Sequence, residues 1–219
     1  MSEQSLIGES LARPRSDTKR QAILDASVEL FADRGIAHAP TSAISSAAGV
    51  AEGTLFTYFK TKDELLNELY REMRKEIDQE MADFPFSGDV HARLRFVWDR
   101  FLDMAEKHPK RLKVQQQLRS SGRLLKDAEA PNMVIKELLR ASKEGAELGG
   151  LGAVSPEYLV LMFRAQAEAT AEFIAAHREM KAKSRETGFK LVWRALVGQY
   201  GRGSYMSDYS FMICKIQEY

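Results

Sequence analysis

A single cysteine, Cys214, stands in 219 residues, so the chain can form neither an internal disulfide nor a thiolate metal site. The four histidines (His38, His91, His108 and His177) are scattered, and none forms a His-x-x-x-His pair; no metal and no cofactor is expected. Long apolar runs are missing too. The longest, 158–163, falls far short of a membrane span. Residues 1–11 are polar and acidic rather than basic and then apolar, unlike a secretory signal. A cytoplasmic protein with no membrane partner is the expectation. No Gly-rich phosphate loop, metal-ligand spacing or nucleophile motif is present, which argues against an enzyme. An excess of one charge is lacking as well: the formal net charge is +1. Residues 1–62 carry seven Lys/Arg (Arg13, Arg15, Lys19, Arg20, Arg34, Lys60, Lys62) and seven Asp/Glu (Glu3, Glu9, Asp17, Asp25, Glu29, Asp33, Glu52). The bulk basic footprint of a nucleic-acid binder is therefore absent, and any such contact must rest on local placement.

What is present is helical periodicity. Hydrophobic residues make up 44% and charged residues 29%, ordinary for a globular chain with room for one or two domains. Residues 1–16 have no period and read as an arm. From Asp17, Ile23, Ala26, Leu30 and Phe31 recur at helix spacing, and Gly35 stands at the C-terminal glycine position. Thr41 is placed to cap a short second helix through Ala48, Gly49 to make a turn, and 54–59 to form a third helix. Thr61 and Glu64 have capping-box spacing for a fourth, which should end near 83–84 at Pro85 and Gly88. Further helices are expected over 90–107, from Pro109 to about 121, over 134–148, from Pro156 (capped by Ser155) to about 177, and from 181 or 184 to about 199. A further helix is expected to begin within 122–130, bent or broken at Pro131. No strand alternation appears, so the fold class is all-α. From Gly201 the composition turns to Ser, Tyr and Gly, and 201–219 reads as a disordered tail.

The most informative stretch is 49–65. A helix as short as 54–59 stabilises little alone, so its presence suggests a surface presented to a partner. Two short helices joined by a Gly turn, with a longer helix beneath, are the parts of a helix-turn-helix. Ile44, Ala48, Val50, Leu55 and Phe59 would form its small core. Thr41, Ser42, Glu52, Gly53, Thr54, Phe56, Thr57 and Tyr58 would point outward, with Lys60 and Lys62 where the chain leaves DNA. Hydroxyls suit phosphates, Gly53 allows close backbone approach, and rings suit sugars or thymine methyls.

At these residues the sequence resembles the TetR family of bacterial transcription regulators. The carrying residues are Ile23-Leu24-Asp25-Ala26, Glu29-Leu30-Phe31-Ala32-Asp33-Arg34-Gly35, Thr41-Ser42-x-Ile44 and Ala47-Ala48-Gly49-Val50, then Gly53-Thr54-Leu55-Phe56-x-Tyr58-Phe59 and Lys62-Asp63-Glu64-Leu65-Leu66. The match runs over roughly 19–66. The resemblance implies a helix-turn-helix domain (17–64) followed by a helical ligand-binding and dimerisation domain (65–200). It implies a homodimer on a palindromic double-stranded DNA operator, released by a small-molecule effector, with a repressor as the expected role. A helical scaffold, or an activator of the same fold without inducer-driven release, is the alternative. By family analogy Thr41, Ser42, Thr54, Tyr58 and Lys62 contact phosphates, while Glu52, Gly53, Phe56 and Thr57 lie nearest the bases. Two departures stand out. Ala51 replaces the Ser that often caps the recognition helix, and Ser42, Ala43, Ser45 and Ser46 leave the second helix without charge. Arg13, Arg15, Lys19 and Arg20 are placed to compensate through the arm.

The effector pocket is expected within 90–178. Trp98, Phe101, Met104, Gln116, Met133, Met162, Phe163 and Gln166 are the candidate ligand contacts, with Gln115 and Leu118 beside them. As a set they favour a moderately large, mostly apolar ligand with one or two hydrogen-bonding groups. Ala165, Ala169, Ala176, Phe189, Val192, Trp193 and Leu196 on the last two helices would suit a four-helix dimer bundle; completing the monomer core is the other reading.

Overall fold

A computed structural model describes residues 13–85, 87–128, 131–147 and 155–197. Among them every regular element is helical. The elements are α1 (Arg13–Arg34), α2 (Thr41–Ala47), α3 (Glu52–Tyr58), α4 (Lys62–Glu80) and α5 (Val90–Lys107). They continue as α6 (Pro109–Ser120), α7 (Met133–Glu147), α8 (Pro156–Ala176), a 3₁₀ turn (Arg178–Met180) and α9 (Lys181–Val197). The expected tail at 201–219 and the glycine loop at 149–152 lie outside the described residues.

Local chemistry sets most of the boundaries. Gly35 ends α1 with φ 81°, and Gly49 turns the chain between α2 and α3 with φ 67°, the left-handed region that glycine enters without a Cβ clash. Thr61 Oγ1 accepts from the Glu64 amide at 3.0 Å. The Glu64 carboxylate reaches back to the Lys60 amide at 2.6 Å, one residue before the cap. Asp89 caps α5 and Ser155 caps α8, each accepting from the amide three residues on.

Four expectations need correction. Helix α1 begins at Arg13, so residues 13–16 belong to it rather than to an arm. Thr41 does not cap α2. Pro40 occupies that position, its carbonyl accepting from the Ala43 amide at 3.1 Å and the Ile44 amide at 3.2 Å, and Thr41 is the first helical residue. Helix α3 starts at Glu52 rather than Thr54. The segment 122–128 is a set of turns, held by buried Asn67. That side chain donates to the carbonyls of Asp63 (2.7 Å) and Arg123 (3.1 Å) and accepts from the Leu125 amide (2.7 Å). These bonds satisfy a buried amide and dock the α6–α7 connection onto α4.

Two apolar cores result. One joins α1, α2 and α3 to Leu65, Leu66, Leu69 and Met73 of α4 and to Val114 and Leu118 of α6. Packing therefore does not break after residue 64. The other gathers α5, α7, α8 and α9 around Trp98. Trp98 is fully buried, its indole N–H donates to the Arg185 carbonyl at 3.0 Å, and α9 approaches the ring closely at Gly188. A Cβ there would stand 2.6 Å from Trp98 Cζ2 and 2.7 Å from Thr170 Oγ1.

Candidate nucleic-acid interface and interhelical cavity

Helix α3 has seven residues and borrows its stability. Leu55 and Phe59, four apart on its inner face, are wholly buried in the first core; burial of such side chains contributes about 1.5–3 kcal/mol each. The outer face is then fixed by period: Glu52, Gly53, Phe56 and Thr57 are exposed, and Thr54 and Tyr58 are half-buried at its edges. Ser42 and Lys60 are exposed, Thr41 half-buried. A Cβ on Gly53 would meet nothing within 4 Å, so no internal packing demands glycine there. Phe56 holds 38% exposure.

Several hydroxyls are already committed. Thr41 Oγ1 donates to Glu52 Oε1 at 2.8 Å, Thr57 Oγ1 to the Gly53 carbonyl at 2.9 Å, and Ser45 Oγ to the Ser42 carbonyl at 3.0 Å. Each hydroxyl has one proton. Thr41 and Thr57, expected at phosphate and bases, are therefore not donors in this state.

Lys62 is the clearest departure. Its Nζ turns inward and donates to the Ile36 carbonyl at 2.6 Å and the Ala39 carbonyl at 2.7 Å. It also lies 5.8 Å from the Phe31 ring centre. Burial, then the nearby Arg123, lowers its pKa from the ordinary lysine value. It clasps the α1–α2 connection to the start of α4 and is not poised as a phosphate contact. Arg20 is similarly drawn in, pairing with Glu68 at 3.0 Å and Glu72 at 3.3 Å. Lys19 and Lys60 stay exposed.

Behind this head, α4 to α8 enclose a cavity of about 530 Å³. Of the eight candidate ligand contacts, Phe101, Met104 and Phe163 line it, with Gln115 beside them. The other five do not. Trp98 is core beneath α9, Met162 is exposed, and Met133 packs on the second core. Gln116 turns to Glu172 at 3.4 Å, and Gln166 to Thr170 at 3.4 Å. The sequence reading missed the polar wall: Tyr70, Arg74, Arg111, Arg119 and Arg164, with Glu76, Glu80 and Glu168 among them. Arg74 lies over the Tyr70 ring at 5.5 Å, and Arg119 pairs with Glu168. Arg111 belongs to the cavity wall and also reaches the head, bonding Asp25 of α1 at 3.3 Å and Glu76 of α4. Arginine on α4 and α6 was visible, but its direction was not.

The dimer reading is also redrawn. Phe189 and Val192 are buried within the monomer. Tyr158, Leu161, Met162 and Phe173 of α8 and Leu191 of α9 stand exposed instead, with Ala165, Ala169 and Ala176 exposed along α8. Among the described residues, no helix is long and apolar enough to cross a membrane.

Residues 23–69 match the family model for bacterial regulatory proteins of the tetR family. The fatty acid metabolism regulator protein of Bacillus subtilis is 33% identical over 106 residues, 48% of this chain and 55% of its own. The transcriptional repressor LfrR of Mycolicibacterium smegmatis is 40% identical over 101 residues, 44% and 49% of the two chains. The matches thus span about half the length of these curated relatives. A solved tetR-family structure from Shewanella sp. PV-4 superimposes with a TM-score of 0.73 at 26% identity, over 81% of this chain and 97% of the other. Head and fold agree: residues 23–69 are a head of the TetR family of bacterial regulatory proteins, and the chain shares the fold of a solved member of that family.

Proposed function

We propose that this chain is a DNA-binding transcription regulator, a repressor that grips a palindromic operator as a homodimer and lets go when a small molecule fills the cavity. The observation that carries this reading is the outer face of α3. It is a seven-residue helix held by two buried side chains, presenting Glu52, Gly53, Phe56 and Thr57 with no internal use for the glycine. Ser42, Thr54, Tyr58 and Lys60 surround that face, and Thr41 reaches the duplex through Glu52. The dimer forms through the exposed apolar stripe of α8 with Leu191 of α9, since two heads are needed for two half-sites.

The effector is mostly apolar, in keeping with Phe101, Met104, Phe163 and their neighbours, and carries a polar or anionic end for the arginine wall. The matched Bacillus subtilis protein is named for fatty acid metabolism, so fatty-acyl compounds are the first class to assay. Release follows from α6. An occupant that draws Arg111 into the cavity loosens its bond to Asp25 and so shifts α1, on which the recognition helix rests. The test is to capture fragments of the source genome with the full chain, map the protected sequence, and titrate fatty acids and acyl thioesters against the complex. A protected palindrome released by one of these supports the reading. No enriched sequence, or a complex that survives every acyl compound, counts against the operator and the effector class respectively.

A further inference from the structure

Between Thr41 and Phe59 the chain has one charged side chain, and it is acidic: Glu52. Helices α2 and α3 therefore have no arginine or lysine with which to read guanine. The carboxylate is exposed on the outer face of α3, where a duplex would bring it beside phosphates. Docked there without partners it would be repelled and desolvated at a cost. One oxygen is already satisfied, since Oε1 accepts the Thr41 hydroxyl at 2.8 Å across the helix-turn-helix. That bond fixes the direction of the carboxylate and leaves Oε2 to accept.

We infer that Glu52 is a specificity-determining residue that accepts from the N4 amino group of a cytosine in each half-site, with Thr41 holding it in position. The inference rests on the DNA-binding reading above. In the major groove cytosine offers a donor alone at its edge, and carboxylates pair with it; guanine offers two acceptors that would repel Glu52, and thymine an acceptor and a methyl. Adenine sets an acceptor beside its donor, which disfavours an anion relative to cytosine. A carboxylate thus both selects cytosine and penalises guanine, and an operator read by this head carries a cytosine opposite α3.

Selection from a randomised half-site library, using the full chain and its Glu52→Gln and Thr41→Val variants, tests this. The wild type should show one position per half-site where cytosine is preferred about tenfold or more. In Glu52→Gln the carboxamide oxygen keeps the Thr41 bond, so an amide N–H donor faces the base where Oε2 accepted, and it suits the O6 and N7 acceptors of guanine rather than the amino group of cytosine. The preference at that position alone should move from cytosine to guanine. Thr41→Val should flatten the same position while leaving the others and the melting temperature nearly unchanged. If Glu52→Gln weakens all sequences equally with an unaltered profile, Glu52 merely supports the helix and the inference is overturned. If the wild type enriches no sequence at all, the DNA-binding reading falls, and this inference with it.

Discussion

Lys62 shows how one side chain changes role once its surroundings are known. Its two carbonyl partners lie 26 and 23 residues earlier in the chain, so sequence spacing gave no hint that the ammonium would turn inward. Replacing it with Met keeps the stem but strips two half-buried carbonyls of their donor, a loss of about 1–3 kcal/mol. Lys62→Met should lower the thermal midpoint by several degrees, and its operator affinity should fall only as far as the head is loosened. Lys60, exposed two residues beyond the end of α3 and next to buried Phe59, carries the opposite expectation. Lys60→Ala should leave the melt unchanged and reduce the salt dependence of binding by about one phosphate contact per head. A stability loss for Lys60→Ala, or none for Lys62→Met, would reverse these assignments.

At the scale of elements, the contact of α9 with α5 is set by one glycine. Gly188→Ala pushes a methyl into the Trp98 ring and Thr170, and overpacking of this kind costs about 1–3 kcal/mol. The melting temperature should drop and the tryptophan emission shift as the indole loses its seat. Helix α7 is tied to α5 differently. Arg93, 4% exposed, bonds Glu137 at 2.6 Å and also Glu144. Glu144 has its pKa lowered from 4.5, first by the hydrogen bond from Arg140 and next by that from Arg93. A carboxyl held lower in the folded state stabilises fully above its unfolded pKa, and that contribution is lost as pH falls through the folded value. Unfolding midpoints of wild type and Glu144→Gln should therefore differ at pH 7 and converge well below pH 4.

What could be read from the sequence was whatever local chemistry decides. The Gly49 turn, the Thr61–Glu64 cap and the Ser155–Pro156 start are written within four residues each, and the short α3 follows from them. The cavity was legible only as an apolar face. Helix α5 carries two neighbouring stripes: Leu94, Trp98 and Leu102 enter the core, while Val97, Phe101 and Met104 border the void. Their compositions are alike, and only the crossing of α4, α6 and α8 decides which stripe faces open space. The same holds for α6, where Gln115 faces the cavity and Gln116 the outside of α8.

For the whole molecule, gripping a palindrome needs two heads on one duplex. Met162→Glu with Leu191→Glu places charge on the exposed stripe of α8 and α9; sedimentation should show a monomer with an intact helical signal and with operator affinity sharply reduced. Coupling between halves should pass through α6: Arg111→Ala, which removes the bond to Asp25, should weaken operator binding without any effector and leave little further release when one is added. The most direct measurement of the central claim is the affinity of the full chain for its selected palindrome and for a scrambled duplex, followed against salt. With Lys19 and Lys60 exposed on a nearly neutral head, a dimer should give a log–log slope of about −3 to −6 and a clear preference for the palindrome. A flat slope with equal affinity for both duplexes would contradict the account.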